Sequence, residues 1–210
     1  MQGTVAEKVV RLAGDFIAHP DYAARYVSDN VLHKQTPLDL MKPWFSYAAI
    51  DFLEKNLRPE MSVCEYGSGG STIFFAKRIK SVFSIEDNSM WHQLVSERLK
   101  KLDIHNAEMV LFPFNFKNPA GFEKSAYMNA VPDRPFDIYV IDGSEEWDQV
   151  RPICFKHVEP RVRPGGMIIV DDSWRYSAEL HKKNKAREHR VFRSVGPCRP
   201  GVTSTDVFFY

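Results

Sequence analysis

Cysteine is scarce in this chain and scattered. Cys64, Cys154 and Cys198 form no CxxC pair and join no Cys/His cluster. That argues against a disulfide framework or a structural zinc site and suits a reducing compartment. An excess of charge is missing too: 28 Lys and Arg face 27 Asp and Glu, for a net charge of +1. A polyanion binder working by bulk charge carries a clear basic excess, so that class is excluded. No stretch reaches the roughly 18 uncharged apolar residues that a membrane-spanning helix needs. The opening twenty residues carry Glu7, Lys8, Arg11 and Asp15, where a secretory leader has an apolar core. What is there is 210 residues, 44% hydrophobic and 26% charged. That is enough for one large domain with a buried core. The expectation is a soluble, cytoplasmic protein with no membrane partner.

Beyond residue 60, short apolar runs alternate with longer amphipathic ones. Met61–Tyr66, Ser81–Glu86, Ala107–Phe114, Phe136–Ile141 and Met167–Val170 read as strands. Their near-continuous apolar character suits strands buried on both faces of a parallel sheet. Ile73–Lys80 has helical spacing, and so do Met90, Trp91, Leu94, Val95, Leu99 and Leu102, with Ser89 as candidate cap. The alternation predicts an open α/β sheet with helices on both faces. Glu188–Val195 and Ser204–Tyr210 flank the turn-rich GPCRPG and read as an antiparallel hairpin at the sheet edge. Before residue 60 there is no strand-like alternation. Ala6–Ile17 and Phe45–Asn56 look helical, separated by a polar stretch with Pro37 and Pro43. Residues 1–60 are therefore expected to form a helical cap within the same domain, and 61–210 its core.

The strongest chemical signal is Glu65-Tyr66-Gly67-Ser68-Gly69-Gly70-Ser71-Thr72, between a strand and a helix. Glycine lets the chain turn sharply and a ligand approach the backbone, and a helix start offers N–H groups to electron-rich ligand atoms. Such loops serve phosphate, dinucleotide and adenosyl ligands alike. Thr72 stands where the dinucleotide fingerprint wants its third glycine, and no GxxxxGK[ST] follows. Glu86 ends the second strand, 19 residues after Gly67, a place from which a carboxylate accepts hydrogen bonds from ribose hydroxyls. The plainer role for Glu86 and Asp87 is to start the next helix.

VCEYGSGGST, SIED, FDIYVIDG and RPGGMIIVDD, in that order, resemble the successive motifs of class I S-adenosylmethionine-dependent methyltransferases. The resemblance runs from about Met61 to Tyr210 and includes the final hairpin. It implies a Rossmann-like fold, with S-adenosylmethionine as the cofactor and methyl donor. It places Glu65 and the loop Gly67, Ser68, Gly69, Gly70 and Ser71 at the donor's methionine part, and Glu86 at its ribose. Pro113 and Phe114 would lie near the adenine. Lys42-Pro43-Trp44-Phe45 either folds over the pocket or packs the cap.

Asp142-Gly143 ends the fourth strand, on the edge where open α/β sheets bind ligands. Methylators of DNA or protein amines have [DN]PP[YF] there. The chain has Ile141-Asp142-Gly143-Ser144, which resembles small-molecule O-methyltransferases more closely. Asp142 and Asp171 are the candidate catalytic residues, either as general base, with a carboxyl pKa raised by burial, or together with Asp172 as ligands for Mg²⁺. Catechol-type enzymes have Asn where Asp172 stands, and Mg²⁺ is not the favoured reading. His181 and His189 are further candidates for the base, although solvated loop histidines are commoner. Trp147 and Trp174 either wall a substrate or pack. The basic run from Arg175 to Arg193 reads first as a solvated face, so nucleic acid is not an expected partner. The expected acceptor is an oxygen of a small molecule. A non-catalytic S-adenosylmethionine binder and an RNA methyltransferase are the alternatives, and Thr72 argues against a nicotinamide oxidoreductase.

Overall fold

A computed structural model describes residues 3–32 and 35–210. Seven strands form one sheet: β1 (Ser62–Tyr66), β2 (Ser81–Glu86), β3 (Ala107–Leu111), β4 (Phe136–Ile141), β5 (Val162–Val170), β6 (Glu188–Val195) and β7 (Val202–Phe209). Their order is β3-β2-β1-β4-β5-β7-β6. The first five strands are parallel, and β7 runs antiparallel between β5 and β6. This is the Rossmann-like, mostly parallel sheet with a C-terminal hairpin that the motif order implied.

Eight α-helices accompany the sheet among the described residues: α1 (Val5–Ala18), α2 (Pro20–Tyr26), α3 (Pro37–Leu40), α4 (Tyr47–Asn56), α5 (Gly70–Ala76), α6 (Ser89–Lys101), α7 (Val150–Val158) and α8 (Ser177–Leu180). Strand alternation sends Cys64, Tyr66, Tyr139 and Phe208 to one face, where they bury Phe155 and Val158 of α7. Val63, Ile138, Val140 and Val207 go to the other, against Ile50 and Leu53 of α4 and Phe74 and Phe75 of α5. Both faces are covered, as the unbroken apolar strands require.

Several boundaries differ from the expectation, each for a local reason. The stretch between the two N-terminal helices holds α2, a wide π-type turn (Val27–Leu32) and α3. Pro20 and Pro37 sit at the first helical position, where a missing N–H costs nothing and a fixed φ is already helical. Thr36 completes the second start, accepting from Asp39 N while Asp39 accepts from Thr36 N. Asn88, not Ser89, caps α6, its Oδ1 accepting from Trp91 N at 3.0 Å. Strand β3 stops at Leu111, and β5 begins five residues before Met167. The helix after the glycine loop starts inside it, at Gly70, and ends at Ala76.

The N-terminal segment is tied to the core by polar contacts as well as packing. Asp15 accepts from Val195 N of β6 at 2.8 Å, Tyr47 Oη donates to Asp29 at 2.8 Å, and Arg25 pairs with Asp51 at 2.6 Å. Among the described residues, no helix is long and apolar enough to cross a membrane.

Register then decides where chemistry sits. Tyr66 pairs with Ile85 on one side and Ile141 on the other, and Ile141 pairs with Val170. The next residue on each strand is Gly67, Glu86, Asp142 and Asp171. All four leave the sheet together, at the carboxyl edge.

Candidate active site

That edge opens into a cavity of about 640 Å³, with Gly67–Ser71, Glu86–Asn88, Asp142–Glu145 and Asp171–Asp172 on its walls. Gly67 turns at φ +94°, and a Cβ there would stand 2.7 Å from the Asp142 carbonyl oxygen. Gly69 has φ +147°, a conformation that side chains disfavour. A Cβ on Gly70 would collide with the carbonyl oxygens of Pro37 and Lys42. The loop is thus pressed between β4 and the N-terminal segment, and glycine is what fits.

The two glutamates of this half have different surroundings. Glu65 lies beneath the loop, 1% exposed, and does not line the cavity. Its Oε1 accepts from Thr72 Oγ1 and Ser84 Oγ, both at 2.5 Å. Burial pushes its carboxyl up to about 7, against the pull of these hydrogen bonds. Thr72, which replaces the dinucleotide glycine, also accepts from Gly69 N at 3.0 Å. Glu65 therefore braces the loop from behind. Glu86 does face the cavity. Its Oε1 accepts from Asp87 N and Asn88 N at 3.1 and 2.9 Å, and its Oε2 from Ser68 Oγ at 2.6 Å. Trp91 Nε1 donates to the Ser68 carbonyl at 2.8 Å. Pro113 and Phe114 are not on the cavity wall; Phe114 packs edge-on against Phe116 and Phe122.

The opposite half is built from charge. Asp142 lies 3.1 Å from Arg151 Nη2. Buried Arg151 also donates to the carbonyls of Asp171 and Gly143, at 2.7 and 3.0 Å. Arg199, in the turn between β6 and β7, pairs with Asp172 at 2.7 Å and Asp171 at 3.5 Å. Thr205 donates to Asp171 at 2.7 Å, and Thr203 and Trp174 to Asp172 at 2.6 and 3.0 Å. Burial pushes Asp142 up to about 7 despite Arg151. Burial, with the charges of Asp142 and Asp172, holds Asp171 well above the usual range. Asp172 moves the other way: burial opposes its charge, but Arg199 and the hydrogen bonds hold its carboxyl well below that range. Burial thus favours the neutral form of Asp142 and Asp171, while Arg199 favours the charged form of Asp172. Guanidinium groups and hydroxyls already occupy these carboxylates, an arrangement that does not fit Mg²⁺, which demands near-ideal octahedral oxygen ligands and retained waters.

Arg151 and Arg199 are what sequence reasoning missed. Nothing in RPICF or GPCRPG announces a partner; their meaning comes from the 3.1 Å contact of Arg151 with Asp142 and the 2.7 Å contact of Arg199 with Asp172. Trp44 was in question and the structure places it at the cavity rim, with Thr36 and Pro37. Its carbonyl accepts from Arg199 Nη1 at 3.0 Å, and the guanidinium lies 5.8 Å from its ring centre. His181, His189, Trp147 and Trp174 are not on the cavity wall. Trp147 packs on Phe122. The basic run is divided: Arg175 precedes α8 and lies on the cavity wall, paired with Glu145 at 2.9 Å, Lys182 to Arg187 lie in the loop after α8, and Arg190 and Arg193 are on β6.

The comparisons with known proteins fall on this same region. A family model described as a methyltransferase domain matches residues 64–173, more than half of the chain. The chain belongs to the methyltransferase domain family. No curated protein matches it in sequence. Among solved structures, it is similar to an rRNA methylase from Streptococcus thermophilus (17% identity, TM-score 0.55, covering 77% of this chain and 93% of that one). It is also similar to a candidate O-methyltransferase from Klebsiella pneumoniae (16% identity, TM-score 0.57, 88% and 96% covered). A candidate methyltransferase from Streptococcus mutans, solved in complex with S-adenosylhomocysteine, is alike at 14% identity and TM-score 0.55 (84% and 99% covered). These levels of identity speak for the fold. The family makes this chain an S-adenosylmethionine-dependent methyltransferase, and the cavity, walled by Gly67–Ser71 and the buried Glu86, fits that donor.

Proposed function

We propose that this methyltransferase acts on an oxygen of a small molecule, with Asp142 as the base that takes the hydroxyl proton. The observation that carries the reading is Asp142 itself. It ends β4 on the cavity wall, its Oδ1 is oriented by Arg151, and its carboxyl is pushed up to about 7. A carboxyl tuned to that range accepts a proton near neutral pH, where an ordinary aspartate is too weak a base. When bound, S-adenosylmethionine supplies a methyl group on a positively charged sulfur, which departs as a neutral thioether. The acceptor's O–H bond breaks toward Asp142 Oδ as its oxygen forms the new bond to carbon, so proton and charge balance.

The remaining residues position. The glycine loop and Glu86 are assigned to the donor, with Glu86 taking ribose hydroxyls. Glu65, Thr72 and Ser84 brace the loop. Arg151 holds Asp142, while Thr36, Pro37 and Trp44 screen the cavity mouth from water, which strengthens the electrostatics inside. A small acceptor fits a concave site partly roofed by the chain's own N-terminal segment, and the balanced charge of +1 offers no broad polyanion footprint.

The test is donor turnover, read as release of S-adenosylhomocysteine, against panels of hydroxyl-bearing small molecules and of RNA. Hydroxyl-dependent turnover that Asp142→Asn abolishes, with donor binding retained, supports the reading. Turnover confined to RNA, or unchanged in Asp142→Asn, overturns it.

A further inference from the structure

His181 and His189 have a different arrangement from the one a substrate base needs. His181 follows α8 and His189 lies on β6, yet both direct Nε2 at Oδ2 of Asp206 on β7, at 2.6 and 3.0 Å. Their ring centres are 4.2 Å apart. Among the described residues, this is the one group of three His, Cys, Asp or Glu side chains with converging ligand atoms, all within 4.8 Å of one another. It shares no residue with the cavity wall.

We infer that His181, His189 and Asp206 form a site for one divalent transition-metal ion of the zinc type, separate from the methyl-transfer cavity. Two imidazole nitrogens and one carboxylate oxygen suit such an ion, whereas Mg²⁺ takes oxygen ligands almost alone. Bonds of about 2.0–2.1 Å put tetrahedral ligand atoms roughly 3.3 Å apart, so the two His–Asp separations, 2.6 and 3.0 Å, need to open by less than an ångström. The donor set is also held from outside. Asp206 Oδ1 accepts from Ser173 Oγ, and the His189 ring stacks on Phe208 at 4.7 Å. Such outer contacts orient metal ligands. Asp206 is buried, but the histidine side chains remain 34% and 26% exposed, which leaves an entry path and a fourth position for water. In the metal-free protein each Nε2 donates its proton to Asp206 Oδ2; on binding, the ion replaces that proton at Nε2, and each neutral ring carries its one proton on Nδ1 instead.

Alternation along β7 points Asp206 away from the side of Thr205, whose hydroxyl holds Asp171. The ion therefore ties α8 and β6 to β7 behind the acceptor wall and takes no part in the transfer.

The test uses the full, untagged chain stripped with a chelator and titrated calorimetrically with ZnCl₂ and, separately, MgCl₂. The His181→Ala/His189→Ala double variant, Ser173→Ala and His189→Gln are run beside it. His189→Gln keeps a polar group for Asp206 if the double variant fails to fold, with circular dichroism as the check. One Zn²⁺ per wild-type chain is expected, with no matching heat from Mg²⁺. Affinity should fall at least a hundredfold in the double variant, and about tenfold in Ser173→Ala. Zn²⁺ should raise the unfolding temperature of wild type and not that of His189→Gln. Absence of Zn²⁺ binding by wild type, equal binding by folded His189→Gln, or equal heat from Mg²⁺ overturns the assignment.

Discussion

The half of the cavity proposed for the donor is walled mostly by one continuous stretch of chain, Gly67 to Trp91, with Glu65 braced beneath it. The half proposed for the acceptor draws on β4, α7, β5 and the turn between β6 and β7. The means of holding charge differ as well. Glu65 and Glu86 are met by hydroxyls and backbone N–H groups, whereas Asp142, Asp171 and Asp172 are met by two guanidinium groups. A lattice of hydroxyl and backbone donors keeps its shape when one donor is lost, at a cost of about 1 kcal/mol per hydrogen bond. A lattice of buried charges does not, because removing one partner leaves the other uncompensated. Mutations in the acceptor half should therefore abolish chemistry or folding, and those in the donor half should mostly weaken binding.

The sharpest break in that comparison is Asp142→Asn. Loss of a general base lowers turnover by roughly 10²- to 10⁴-fold, while donor affinity measured by calorimetry should stay within a few fold. Because Asp142 titrates near 7, wild-type turnover should rise with pH up to about that value and then level off. A flat pH profile sinks the role. Arg151→Met comes next. It leaves Asp142 and the carbonyls of Gly143 and Asp171 without their buried donor, and denaturant melts should show a loss of about 3–5 kcal/mol. A loss under 1 kcal/mol would mean the carboxylates rearrange freely.

How much of this was readable beforehand follows the same division. GSGGST and SIED are contiguous motifs on adjacent strands, so the loop, Glu86 and their shared edge were legible from strand order alone. Arg151 and Arg199 were not, because an arginine's partner is chosen by packing: Arg151 reaches back from α7 to Asp142, and Arg199 reaches Asp172 from the turn between β6 and β7. Pro37 misled for a simpler reason: proline breaks a helix from within but starts one well, and Thr36 with Asp39 was the overlooked capping box. His181 and His189 were read singly, eight residues apart. Only β7, which brings Asp206 between them, makes them a group.

In the donor half, Glu86→Ala should weaken S-adenosylmethionine binding at least tenfold, about 1.4 kcal/mol, with a modest fall in melting temperature from the three hydrogen bonds lost. Affinity equal to wild type would move the ribose contact elsewhere. Gly70→Ala, by contrast, drives a methyl into the backbone of Pro37 and Lys42. It should lower the unfolding temperature, because that backbone has to shift.

The smallest expected effect separates bracing from binding. Glu65 carries a folded pKa of about 7 against about 4.3 in an unfolded chain. Between those values the folded state holds a proton that the unfolded state releases. Its contribution is thus fully present below about pH 4.3 and is lost as pH rises through 7. Glu65→Gln retains an oxygen for Thr72 and Ser84 but cannot ionise. Asp142 and Asp171, whose carboxyls are also raised, add slopes of the same sign that remain in the variant. The difference between the two proteins therefore isolates Glu65. Unfolding free energies measured from pH 4 to pH 8 should fall less steeply in Glu65→Gln, and the variant should gain on wild type as pH rises. Parallel curves would mean that Thr72 and Ser84 keep Glu65 ionised throughout, so that the donor half, like the acceptor half, is organised around a buried negative charge.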